Sequence, residues 1–433
     1  MNNSWKVYKF SDAPISIIDG DRGKNYPKRN EFSEEGYCLF LNANNVTKEG
    51  FSFNSKQFIT KEKDELLRSG KLSRGDVVMT TRGTIGNVAY YGNRVPFEHV
   101  RINSGMVIFR CERNKILPLF LFQYLRSPIF QAQINAFRSG VAQPQLPICD
   151  IKRMRISIPS LPEQYVITSI LSAYDDLIEN NTRRIQILEE MAQLIYREWF
   201  VNFRFPGHEK VRFVNSKLGK IPEGWEVVQL GEVLESIESG SRPKGGIDSS
   251  EREVPSIGAE NVLGLGRYDF NKEKYVSREF YENMRKGKVQ SGDVLLYKDG
   301  AKIGRKSMFR DGFPHEVCCI NEHVFILRTN SRCSQNYLYF YLDRPDITQK
   351  IINLNTNAAQ PGINQAGVKS LPILLPPKEL IELFDNKVEP LLGLLFNLAK
   401  KNQTLRKKRD LLLPKLISGE IDVSNLEIIV KEF

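Results

Sequence analysis

The sequence predicts an α+β chain written twice. Two tandem α/β domains are each followed by one long helix, and the two helices pair as an antiparallel coiled coil under an internal pseudo-twofold duplication. Three observations predict this: short motifs recur in register between the halves, a mixed strand and turn pattern opens each half, and an apolar 3-4 stripe closes each.

The repeat comes first. Trp5-Lys6-Val7 recurs as Trp225-Glu226-Val227, and Asn45-Val46 as Asn261-Val262. Gly75-Asp76-Val77 recurs as Gly292-Asp293-Val294, and Gly83-Thr84-Ile85-Gly86 as Gly300-Ala301-Lys302-Ile303-Gly304 with one insertion. Ile102-Asn103 matches Ile320-Asn321, Tyr124-Leu125 matches Tyr341-Leu342, and Ala142-Gln143-Pro144 matches Ala359-Gln360-Pro361. The spacing hardly drifts: 293 − 76, 341 − 124 and 376 − 159 all equal 217. So long a period is no solenoid; it is two copies of one large unit.

Within each copy, Gly-Asp and Gly-rich breaks separate short strand and helix signals. A strand ending in proline closes the region: Arg155-Ile156-Ser157-Ile158-Pro159 in copy one, Ile373-Leu374-Leu375-Pro376 in copy two. The expected domains are 1–159, a central helix 160–204, 205–376, and a C-terminal helix and tail 377–433. Heptad positions a and d read Leu171, Tyr174, Ile178, Asn181, Ile185, Leu188, Ala192, Ile195, Trp199, and then Val388, Leu391, Leu395, Leu398, Asn402, Leu405, Arg409, Leu412, Leu416. Neither helix can bury its stripe alone, and the other copy's helix is the nearest partner. About 36 helical residues span roughly 54 Å, which would set the globular domains at opposite ends of a spacer. Pro390 and Pro414 should kink the second helix or mark its ends. Asn181 and Asn402 either set the register from a buried position or face solvent.

Composition narrows the function. The 433 residues carry 62 Lys+Arg against 51 Asp+Glu, a formal charge of +11, with 41% hydrophobic residues. Basic patches on folded cores point to polyphosphate partners, nucleic acid first. The six cysteines form no C-x-x-C pair, so reduced, mostly buried thiols in a cytoplasm are expected. The first residues lack the apolar core of a signal peptide, and no run is long enough to span a membrane.

Enzyme signatures are missing. Amino-methyltransferases need an Asn/Asp-Pro-Pro-aromatic loop, but the Pro376-Pro377 pair lies between Leu375 and Lys378. Gly264-Leu265-Gly266 follows no strand–helix unit and reads as a turn; no ATP-binding Gly-x-x-x-x-Gly-Lys-Ser/Thr occurs. Asp150-Ile151-Lys152 is the nearest imitation of a nuclease triplet and reads as strand entry. Of the histidines His99, His208, His315 and His323, the last two stand eight apart with no carboxylate constellation and read as structural.

One further pattern is specific. Ile158-Pro159-Ser160-Leu161-Pro162-Glu163-Gln164 opens the first helix, which runs through Asp175-Asp176 to Trp199-Phe200. Phe205-Pro206-Gly207 and Ile221-Pro222-Glu223-Gly224-Trp225 then lead into copy two, and Leu416-Ile417-Ser418-Gly419-Glu420 follows the second helix. Over essentially the whole chain this resembles the specificity subunits of type I restriction–modification systems. The resemblance implies two target-recognition domains, each reading half of a split sequence in double-stranded DNA. It implies a non-catalytic chain whose helices, through Ile178, Ile185, Leu188, Leu398, Leu405 and Leu412, dock two methyltransferase subunits, with two restriction/translocase subunits in the full complex. S-adenosylmethionine, ATP and Mg would belong to those partners, and no cofactor or metal to this chain. One departure is that copy two enters its helix with Pro377-Lys378-Glu379-Leu380 where copy one has Leu161-Pro162-Glu163-Gln164.

Phosphate contacts hold DNA and base contacts read it. Candidate readers follow Gly-Asp-Val: Arg82, Thr84 and Asn87 in copy one, Lys298, Lys302, Arg305 and Lys306 in copy two. A second candidate loop precedes the closing strand, with Arg138, Ser139, Gln143 and Gln145 against Asn355, Asn357, Gln360 and Asn364. Domains that read different words should differ where they read. Arg82 against Asp299 and Asn87 against Arg305 are therefore promoted, and the shared Gln143 and Gln360 are not.

Overall fold

The computed structural model describes residues 5–137, 145–243, 253–355, 362–424 and 426. The chain divides into two compact units, Met1–Asp176 with Leu405–Phe433, and Leu177–Thr404. Both long helices cross the division, so each unit holds one globular part and a stretch of each helix.

In the first unit β1 (Ile15–Asp19), β2 (Val77–Thr80), β3 (Val88–Tyr90) and β4 (Met106–Cys111) form an antiparallel sheet in the order β1-β4-β2-β3. The two-residue period of a strand explains its burial. Val77, Met79, Val107 and Phe109 enter one core while Val78, Met106 and Ile108 enter another, so both faces are covered. A smaller sheet pairs Cys38–Leu41 antiparallel with Phe58–Ile59 and parallel with Val100–Ile102. Lys6–Lys9 pairs with the closing strand Arg155–Ile158.

The second unit repeats the plan. Here β5 (Leu234–Ser239), β6 (Asp293–Tyr297), β7 (Lys306–Phe309) and β8 (Val324–Thr329) are ordered β5-β8-β6-β7. Val254–Ile257 pairs antiparallel with Lys274–Val276 and parallel with Cys319–Ile320, and Glu226–Gln229 pairs with Pro372–Leu375.

The recurring motifs are fold positions. Asp76 is buried and accepts two bonds from Arg110 (2.9 and 2.7 Å), as Asp293 does from Arg328 (2.7 and 2.6 Å). Such forked pairs leave neither charge stranded in the interior. Asn45 and Asn261 are buried and satisfy loop backbone through their amides. The Tyr124 hydroxyl donates to the Arg155 carbonyl and that of Tyr341 to the Pro372 carbonyl, each at 2.7 Å.

The long helices are α1 (Leu161–Phe200) and α2 (Lys378–Ile417), each of 40 residues. In the second unit Asn181 meets Asn402, while Trp199 meets Phe384 with ring centroids 6.2 Å apart. One helix rises as the other falls, so they pack antiparallel. In the first unit Asp175 meets Arg409 at 2.7 Å, on the same register. Every a and d residue of the stripe is buried or half-buried. The asparagines are the buried register device: Asn181 Nδ2 donates to Asn402 Oδ1 (3.0 Å), and Asn402 Nδ2 to the Ile178 carbonyl and Thr182 Oγ1 (3.2 and 3.1 Å). Neither proline ends α2, which runs through both.

One sequence reading changes in the fold. Asp150 lies in the first turn of the short helix Ile148–Arg153, which precedes the closing strand, and there a carboxylate offsets the helix dipole. The two helix entries also differ in kind. Gln164 is fully buried and bonds Lys115, Leu117 and Pro159 backbone, whereas Ile381, at the matching place, packs in an apolar core. Gly264-Leu265-Gly266 is a turn whose Leu265 inserts into the core that holds the helices.

Candidate nucleic-acid interface

Three connections meet at one edge of the main sheet in the first unit. The β2–β3 loop is tied to the turn before β4 by the Thr81 amide on the Gly105 carbonyl (2.8 Å). The exit of β1 is tied to the same turn by Arg22, whose guanidinium bonds Asp19 and the Ser104 carbonyl, each at 3.2 Å. Arg82 forms a bridge with Gln145, and the Leu146 amide bonds the Thr81 carbonyl (2.9 Å), so the segment before the closing strand joins them.

The second unit builds the same edge. The Lys298 amide bonds the His323 carbonyl (3.1 Å), the Ile363 amide bonds the Lys298 carbonyl (2.9 Å), and Asp299 bridges Gly362. Arg242, two residues past Gly240 as Arg22 is past Gly20, pairs with Glu322 and lies 3.3 Å from Nε2 of His323. Both glycines are required by close approach: a Cβ on Gly20 would stand 2.2 Å from the Asn103 carbonyl oxygen, and one on Gly240 1.8 Å from that of Ile320.

The predicted residues fare differently. Arg82, Thr84 and Lys302 are exposed at this edge, and Arg305 and Lys298 are half-exposed, with Lys298 Nζ 4.9 Å from the Phe325 ring centroid. Glycines at positive φ (Gly83, Gly86, Gly300, Gly304) shape the turns that carry them. Asn87 is spent inside, its amide donating to the Val46 carbonyl (3.0 Å). So is Lys306, which donates to the Leu342 carbonyl (3.0 Å) and Thr348 Oγ1 (2.6 Å) and lies 3.4 Å from Asp343; burial pushes its pKa down. Arg138 lies outside the described residues. His323, read as structural, stands in the site, with Nδ1 2.9 Å from Asp299 Oδ2.

Sequence reasoning missed Arg22 and Arg242. The signal was there: Gly-x-Arg stands in both copies, Gly20-Asp21-Arg22 and Gly240-Ser241-Arg242, but 220 apart (242 − 22) rather than 217.

On the helices, Ile178, Ile185, Leu188 and Leu398 are buried, and Leu405 and Leu412 half-buried. The four buried residues have no side-chain surface to offer a partner. The open apolar face of α1 is Ile187, Met191 and Leu194, each nearly half exposed at i, i+4 and i+7.

Comparison with known proteins decides the family. The model of the type I restriction modification DNA specificity domain matches residues 2–190 and again 222–382. The chain belongs to this family. A specificity subunit's relatives accompany it. The MjaIX type I restriction enzyme specificity subunit of Methanocaldococcus jannaschii is 27% identical over 364 residues, covering 82% of this chain and 79% of that one. The HindI specificity subunit of Haemophilus influenzae is 23% identical, covering 97% and 100%. A crystal structure of a type I restriction–modification S subunit from M. genitalium shares the fold at a TM-score of 0.54 and 17% identity, over 96% of this chain and 97% of that one. The chain is thus the DNA-specificity component of a type I restriction–modification complex, not a catalytic component. Among the described residues no helix is long and apolar enough to cross a membrane.

Proposed function

We propose that this specificity subunit reads a bipartite target in double-stranded DNA, one word per copy, through the sheet-edge loops. Arg82 and Thr84 read the first word; Asp299, Lys302 and Arg305 read the second. Arg22 and Arg242, exposed and alike in both copies, hold phosphates. The observation that carries this reading is the division of labour within the repeat. Where the copies agree inside, as at Asp76/Asp293 and Tyr124/Tyr341, the residues build the fold; where they differ at the open edge, as at Arg82/Asp299, they are placed to read. Arginine suits guanine and lysine suits phosphate or guanine, and a good base contact discriminates by about 1–3 kcal/mol.

The paired helices are the platform for two methyltransferase subunits, with Ile187, Met191 and Leu194 offering apolar contact and the buried stripe holding its shape. S-adenosylmethionine, ATP and Mg are used by the methyltransferase and restriction/translocase partners, the latter also present as two copies.

The test uses the assembled methyltransferase complex and duplexes randomised across the target. Arg82→Ala should relax only one word and Lys302→Ala only the other. Arg22→Ala should weaken all sequences alike and reduce the salt slope of log K by about one. Simultaneous loss of both words from Arg82→Ala would overturn the two-reader proposal.

A further inference from the structure

The second copy carries an acid within a basic reading loop. Asp299 lies between Lys298 and Lys302, its side chain 33% exposed. A carboxylate at a DNA surface is repelled by phosphates unless a donor on the nucleic acid meets it. Nor is it placed there to fold the loop in general, since the matching residue of copy one is Arg82.

What holds Asp299 is His323. Its Nδ1 lies 2.9 Å from Asp299 Oδ2 and, facing a carboxylate, bonds it as a donor. The ring is itself fixed. The His323 amide donates to Asn321 Oδ1 (3.0 Å), its carbonyl accepts from the Lys298 amide (3.1 Å), and Glu322 Oε1 (3.2 Å) and Arg242 (3.3 Å) flank Nε2. In copy one the same turn is Asn103-Ser104-Gly105, with Asn103 Oδ1 again accepting two residues on, from the Gly105 amide (2.9 Å). Gly105 therefore occupies the place of His323, and a Cβ there would lie 3.7 Å from Arg82 Cβ. The two positions change together: arginine over glycine in one copy, aspartate over histidine in the other.

Resting on the two-reader proposal above, we infer that Asp299, oriented by His323, is a base-reading carboxylate that accepts a hydrogen bond from the N4 amino group of a cytosine in the second word. His323 engages Oδ2 and leaves Oδ1 for the base. Cytosine fits better than adenine, because adenine sets the N7 lone pair beside its amino group, and this would face the carboxylate as a second acceptor. His323 is a positioning residue: it aims the carboxylate and does not touch the base.

The experiment compares wild type, Asp299→Ala, His323→Ala and Arg82→Ala in the assembled methyltransferase complex. The probes are duplexes with each position of both words varied, including a cytosine analogue that lacks the 4-amino group. Wild type should prefer cytosine over the other bases at one position of the second word by about 5- to 150-fold. Asp299→Ala should erase that preference alone and bind the analogue as well as cytosine. His323→Ala should shrink it while sparing the other positions, which a loss of loop folding would not do. A uniform loss on every sequence, an unchanged preference, or a requirement for adenine there would overturn the inference while leaving two readers in place. Arg82→Ala acting on both words would instead show that the two-reader proposal itself had failed.

Discussion

Asn402 makes three bonds: two donated by its amide, to the Ile178 carbonyl and the part-buried Thr182 Oγ1, and one accepted from Asn181. Both asparagines are buried, at 2% and 8% exposure. Asn402→Ala removes three bonds worth about 0.5–1.5 kcal/mol each and strands the Asn181 amide, so a loss of about 2–4 kcal/mol is expected. Asn181→Ala removes one bond and strands a single acceptor, for about 1–2 kcal/mol. With both gone, no mutual partner is left orphaned, and the double variant should cost less than the sum by about 1 kcal/mol or more. Replacing both by Leu should be near neutral or stabilising, because apolar side chains then fill the stripe. Urea titration of wild type, the two single alanine variants and their double, followed by far-ultraviolet circular dichroism, gives the coupling. Additivity within about 0.5 kcal/mol would refute the paired-amide account of the register.

Further outcomes follow from other contacts. Asp175 stands between Arg126 (2.9 Å) and Arg409 (2.7 Å), and Arg409 also pairs with Asp410 (2.8 Å), so Asp175→Asn should leave the partly buried Arg126 guanidinium without its carboxylate and cost the first unit about 3 kcal/mol. Burial pushes the Asp175 carboxyl up, but the two arginines outweigh it and hold it below the ordinary range. Its stabilisation is therefore present above about pH 4 and lost as pH falls through the lower folded-state value, and acid titration of the variant should lack this component. On α1, Ile185→Asp should disrupt the helix pair by burying an unpaired carboxylate, and Met191→Glu should leave folding intact while weakening assembly with the methyltransferase; pull-down with purified partner beside circular dichroism separates the two. Gly240→Ala should unfold the edge of the second unit, seen as a lowered unfolding midpoint, since its Cβ would collide with the Ile320 carbonyl.

The helices and the duplication were legible because both rest on periodicity. A heptad stripe or a 217-residue offset survives without knowledge of contacts. The asparagines were visible in the stripe, but their burial depended on whether the two would land opposite each other, and only the paired register decides that. The reading edge was half legible. Loops after Gly-Asp-Val could be found, yet Asn87 and Lys306 look like open polar residues until Val46 and Asp343 arrive from distant parts of the chain. Arg22, Arg242 and His323 join the site only through strand order, which brings the exits of β1 and β5 beside the turns before β4 and β8. The heptad count likewise found the buried stripe, while the exposed apolar residues Ile187, Met191 and Leu194 fall outside it.

The most direct measurement is a genome-wide map of DNA methylation made by the native complex containing the unaltered chain. Two short words of different sequence, separated by a fixed run of unconstrained bases, are the predicted result. Domains on a common duplex face would put the word centres about 10 bp apart, one helical turn. A single continuous word, or one palindromic word, would contradict the claim that each copy reads its own half of the target.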